Sequence, residues 1–152
     1  METKVDEIAP DIYRLPTYIA KIDLQFNQFL VKDEEPLLYH TGLRGMFAEV
    51  RAAVAQVIDP GSLRWISFSH FESDECGALH EWLSVAPRAD VFCGTVAALV
   101  NINDFIDKRP RVMANGEILE TGRHRSLSEY TLTDSVPFLS ITPESWTVTT
   151  AP

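Results

Sequence analysis

Between Leu37 and Cys93 short strand-like runs alternate with stretches of helical period, and this alternation constrains the fold more than any other feature. Leu37-Leu38-Tyr39-His40 reads as a strand. From Arg44 to Ile58, residues Met46, Phe47, Val50, Val54, Val57 and Ile58 share one helical face, and Asp59-Pro60-Gly61 stops the helix. Arg64-Trp65-Ile66-Ser67-Phe68 is again a strand, Glu75 to Val85 a helix, and Asp90-Val91-Phe92-Cys93 a strand. Strands that alternate with helices predict an α/β layered fold.

The flanks extend this pattern. Ile12–Leu15 and Phe26–Val31 read as strands, the first ending at Pro16. Asp33-Glu34-Glu35-Pro36 is a turn that leads into the Leu37 strand. Thr95 is positioned to N-cap a helix through Val100. Arg111–Ala114 and Glu117–Glu120 flank Asn115-Gly116, a hairpin signal. After Arg125 the chain becomes rich in Ser, Thr and Pro and has no lysine or arginine, so the reading divides it into residues 1–125 and an atypical tail, 126–152.

The strand at Arg64–Phe68 ends on Ser69-His70-Phe71-Glu72-Ser73-Asp74-Glu75. One imidazole and three carboxylates fall within six residues. In an extended loop His70, Glu72 and Asp74 would point the same way. Such a set suits iron, manganese or zinc. The plain structural alternative is a polar strand end before a helix, with Asp74 or Glu75 at the positive end of the helix dipole. In α/β sheets ligands bind beyond the carboxyl ends of strands, where this cluster falls. His40 reads as a structural polar group, and His80 as a surface or partly packed side chain. Cys76 adjoins the cluster, with His70 the only near base for a thiol; Cys93 reads as an ordinary strand residue.

Composition narrows the function classes. A formal charge of −9, from 13 basic and 22 acidic residues, repels phosphate backbones and argues against nucleic-acid binding. No apolar run approaches the roughly 20 residues needed to span a bilayer, and the polar start Met1–Glu7 lacks a signal-peptide core. Two cysteines far apart in sequence predict a cytoplasmic setting with reduced thiols.

The strand Asn27-Gln28-Phe29-Leu30-Val31, the strand end Leu38-Tyr39-His40-Thr41-Gly42, the motif Ser69–Asp74, the helix-opening Gly77 and the segment Asn115–Gly122 resemble the metallo-β-lactamase superfamily. The nearest branch is the oxygen-binding di-iron proteins and the di-iron domain of flavodiiron oxygen and nitric oxide reductases. The resemblance covers residues 8–125 and implies a partial αββα sandwich, one sheet layer with flanking helices. It also implies two iron ions, with His70 and Glu72 on one and Asp74 on the second. Zinc or manganese is the alternative. Hydrolases of the superfamily carry a second histidine where Glu72 stands, and a carboxylate there favours iron over zinc. The residue after Asp74 is often histidine in the family. Here it is Glu75, whose role stays open between a metal ligand, a partner of bound water and a helix start.

The resemblance further implies two more histidines and a bridging aspartate from a second half. Thr142-Pro143-Glu144 stands where a Thr-Pro-His segment would be expected, and Asp134 does not match in context. His124, within Arg123-His124-Arg125, reads as part of a surface strand end. A truncation, an altered reading frame and a natural short form remain open. The expected function is therefore a di-iron-type protein with an incomplete site in one chain, little intrinsic oxidase activity and a separate electron-donor protein. Two alternatives stand beside it: a non-catalytic, self-associating homo-oligomer and a metal-dependent hydrolase.

Overall fold

The computed structural model describes residues 1–130 and 137–143, with side chains through Ser126. Asp134, Glu144 and most of the Ser/Thr/Pro-rich tail lie outside the described residues.

The main sheet has eight strands. Its antiparallel part comprises β1 (Glu2–Thr3), β2 (Asp6–Ala9), β3 (Ile12–Ile19), β4 (Leu24–Val31) and β5 (Leu37–Tyr39). From β5 the pairing turns parallel, through β6 (Trp65–Ser67) and β7 (Asp90–Gly94) to β8 (Arg111–Met113). The parallel crossovers carry α1 (Phe47–Val54), then α2 (Ser73–Cys76) and α3 (Leu79–Val85), then α4 (Thr95–Ala97). A π-helical stretch, Ala98–Ile102, joins α4 to α5 (Asn103–Phe105). This mixed sheet with flanking helices is the α/β class that the alternating periods predict.

Both faces of the sheet are buried, which explains why its central strands are apolar at consecutive positions. Successive residues go to opposite sides. Leu30, Leu38, Ile66 and Val91 join the large core with Val50, Ala53 and Val54 of α1 and Leu79 and Trp82 of α3. Their neighbours Val31, Leu37, Trp65 and Phe92 form a second cluster with Met113 and Leu119. Leu119 comes from a second sheet of three strands, β9 (Ile118–Glu120), β10 (His124–Tyr130) and β11 (Pro137–Pro143). β10 runs across position 125.

Four local expectations are corrected. β3 continues through Pro16, which pairs with Asn27. The helix expected over Glu75–Val85 breaks at Gly77-Ala78, where the Ala78 N–H bonds the Gly42 carbonyl at 3.0 Å. Thr95 is the first helical residue and Gly94 stands at the cap. Asn115-Gly116 is a turn but not a hairpin, because β8 belongs to the main sheet and β9 to the small one. Glu117 closes that turn by accepting from the Ala114 N–H and the Arg111 guanidinium, so the strands diverge after it.

The two sheets are fastened by Asp33, whose side chain is fully buried. Its Oδ2 accepts from Thr121 Oγ1 at 2.9 Å and the His124 N–H at 2.8 Å, with His124 Nδ1 at 3.0 Å. Its Oδ1 accepts from the N–H groups of Glu34 and Arg123. His124 is therefore buried and not at the surface, with its Nε2 on the Pro10 carbonyl at 3.1 Å. Gly122 has φ +127, and a Cβ there would stand 2.6 Å from Asp33 Oδ1, so no larger residue fits. Burial by itself raises the Asp33 pKa. The hydrogen bonds from Arg123, Glu34 and His124 outweigh it and hold the group at about 2, below its ordinary 3.8.

Asp33→Asn should destabilise the chain by about 2–4 kcal/mol in urea unfolding at neutral pH. A folded-state pKa below the unfolded value means the ionised group stabilises at higher pH. The wild-type advantage should accordingly be full above about pH 4 and vanish as pH falls toward 2. An advantage that persists at pH 2 would refute this account.

Candidate functional site

The site forms where β5 and β6 end side by side. Their parallel register sets Tyr39 against Ser67, and the ladder continues through the His40 N–H to the Ser67 carbonyl at 2.8 Å. His40 has φ +64, a left-handed conformation that costs a non-glycine residue of order 1–2 kcal/mol. This bend lets Thr41 reach α2. The Thr41 N–H donates to the Glu75 carbonyl at 2.6 Å and its Oγ1 to the same oxygen at 3.1 Å. The Thr41 carbonyl in turn accepts from Trp82 Nε1, tying the turn to α3.

The alternation of His70, Glu72 and Asp74 does not survive folding. Glu72 is extended (φ −124, ψ 152), but the helical turn of α2 begins at Ser73. Asp74 is therefore displaced by helical geometry and not by a strand's two-residue repeat. His70 and Glu72 are exposed, whereas Asp74 and Glu75 are half-buried. Among the described residues no group of three or more His, Cys, Asp or Glu is disposed to hold a metal ion. The donor types suit iron.

Glu75 is the residue around which the site is arranged. Ser69 Oγ lies 2.7 Å from each carboxylate oxygen, and Glu75 Oε2 accepts the His70 N–H. His40 Nε2 stands 3.3 Å from Oε2 and 3.1 Å from Ser69 Oγ, and His70 Nδ1 stands 3.6 Å from Oε1. Burial holds the His40 pKa below its ordinary value against the raising effect of Glu75. A cleft of 290 Å³ opens beside this network, lined by His40, Asp74 and Glu75 on one side and Phe26, Asn27 and Phe29 of β4 on another.

His40 and Ser69 stand in segments the sequence marks, but neither has a role in this site by sequence alone. The available signal was topological: two strand ends paired in parallel must place their following residues together. His80 packs on Phe105 with ring centroids 4.7 Å apart, away from the carboxylate network. Cys76 is buried, and its thiol donates to the Glu72 carbonyl. Burial, with Glu75 and Asp74 adding to it, pushes the thiol pKa up to about 12, which disfavours the thiolate that a nucleophile needs.

The sequence profile of the ODP family beta lactamase matches residues 24–131, most of the chain. The chain belongs to that family and carries its metallo-β-lactamase-type fold. It is 27% identical over 107 residues to the rubredoxin-oxygen oxidoreductase of Megalodesulfovibrio gigas, covering 69% of this chain and 27% of that protein. It is 27% identical over 118 residues to the nitric oxide reductase of Moorella thermoacetica, covering 78% of this chain and 29% of the relative. Among solved structures, rubredoxin oxygen:oxidoreductase from Desulfovibrio gigas superimposes with a TM-score of 0.75 at 20% identity, covering 83% of this chain and 35% of that one. The chain thus spans less than a third of the curated relatives' length.

Burial also raises the Cys93 thiol, to about 11. Both cysteines should resist a disulfide reagent at pH 7.5 in the folded chain and react fully in denaturant. Fast labelling of Cys76 under native conditions would show that α2 is open.

Proposed function

We propose that this chain supplies part of a di-iron-type centre for dioxygen or nitric oxide reduction and does not assemble a complete centre from its described residues alone. The observation that carries this reading is the separation of the donors. His70 and Glu72 lie on the loop after β6 and Asp74 in the first turn of α2, where the family resemblance puts such ligands, but among the described residues no three donors are disposed to hold a metal. The relatives' names, which refer to oxygen and nitric oxide reduction, support the class of chemistry. Completion would need donors from outside the described residues or from a second chain. Electrons would come from a redox group outside the described residues.

Anaerobic reconstitution with ferrous iron, followed by elemental analysis and absorption spectroscopy, tests the proposal. The expected result is less than one tightly held iron per chain and negligible oxygen consumption. Two irons per chain with a bridged di-iron band would sink it. Zinc or manganese in place of iron would leave the loop as the site and change only the metal.

A self-associating form is favoured by one surface feature. Val96, Leu99 and Val100 lie along the helical run after β7 with 54%, 70% and 65% exposure. Sedimentation should show a concentration-dependent dimer or larger species, weakened by Leu99→Asp. A monomer at every concentration would exclude it. No helix among the described residues is long and apolar enough to cross a membrane.

A further inference from the structure

α2 has only four residues, far fewer than the roughly 12–15 an isolated helix needs to persist, so its position must be imposed by other contacts. Glu75 supplies them from both ends of the residue. Its carbonyl accepts from the N–H and hydroxyl of Thr41 on the turn after β5. Its carboxylate accepts from Ser69 Oγ and the His70 N–H on the loop after β6. His40 Nε2 closes the group from the β5 end at 3.3 Å, and the His70 ring approaches the other carboxylate oxygen at 3.6 Å. A carboxylate offers about four lone-pair sites, and these neighbours surround them. The side chain is 14% exposed, so water competes weakly.

The turn after β5, 34 positions before Glu75 at Thr41, and the loop just before α2 therefore meet on this one residue, through its carbonyl and its carboxylate. In a metal-built site the cation does this joining, and removing it loosens the fold. Here the joining is complete from protein groups alone, while no three donors are disposed to hold a metal among the described residues. We infer that Glu75 is a carboxylate clamp that closes the donor loop without a metal ion, and that it is not itself a metal ligand. The clamp sets the His70 backbone, and with it the point from which the His70 ring projects. Any cation that recruited Glu75 would first have to break its bonds to Ser69 and His70.

The test uses the full 152-residue chain, with thermal melting and residue-resolved amide exchange, each with and without EDTA. In the wild type, EDTA should leave Tm and the protection of the His70 amide unchanged. Glu75→Gln keeps the side-chain volume but removes an acceptor. It should lower Tm by about 4 °C or more and speed His70 amide exchange by about tenfold or more. Ser69→Ala deletes only a hydroxyl and should move both readouts the same way by less, so it carries the test if Glu75→Gln does not fold. The inference is overturned if EDTA lowers the wild-type Tm and added ferrous iron or zinc restores it. It is equally overturned if the variants leave His70 amide exchange at the wild-type rate. Iron stoichiometry is measured separately, so failure of the clamp is distinguishable from failure of the incomplete-centre reading.

Discussion

The parallel pairing of β5 with β6 is the constraint on which the rest of the site depends. Two strands paired in parallel end at the same edge, so the residues that follow them are brought together whatever their separation in sequence. His40 and Ser69 are 29 positions apart and lie 3.1 Å from each other for this reason. The crossover that makes the pairing possible is α1, and Val50, Ala53 and Val54 hold it on the sheet by burying its apolar face. The strained backbone of His40 is tolerated because the bonds just beyond it, from Thr41 to Glu75 and from Trp82 to Thr41, require the bend.

A second polar hub does comparable work at the other side of the main sheet. Asp33 joins the β4–β5 turn to the start of β10, and the apolar cluster around Trp65, Phe92 and Leu119 fills the space between the sheets. Asp33 and Glu75 are both carboxylates whose acceptor sites are taken up by N–H and O–H groups from separate segments. Each is suited to this because a single ionised carboxylate can serve several donors at once, and hydrogen bonds to a charged acceptor are the stronger kind. One fastens two sheets. The other closes the donor-rich loop after β6.

The strand-and-helix order was legible because both faces of the sheet are buried and the crossover helices are amphipathic. Ile66 and Trp65, or Val91 and Phe92, announce two cores by being apolar in succession. The errors fall where tertiary contacts override local signals. Asn115-Gly116 turns the chain as expected, but which strands pair across it is decided by available partners, β7 on one side and β10 on the other. Gly77 opens no continuous helix, because the Ala78 N–H is taken by the Gly42 carbonyl. His124 looked exposed between two arginines, and its burial follows only from a partner 91 positions away.

By itself the sequence determined the α/β class, the order of the strands from β3 to β9 and the presence of a donor-rich loop beyond β6, because these follow from apolar period and from residue types close together in the chain; β1, β2, β10 and β11 carried no such period. It also determined membership of the ODP family, whose profile matches residues 24–131. Only the tertiary structure decided what the donors do. Whether His70, Glu72 and Asp74 converge depends on where the extended loop gives way to a helical turn. What Glu75 binds depends on His40 and Ser69 arriving from neighbouring strands, a juxtaposition that sheet pairing creates and chain spacing does not encode.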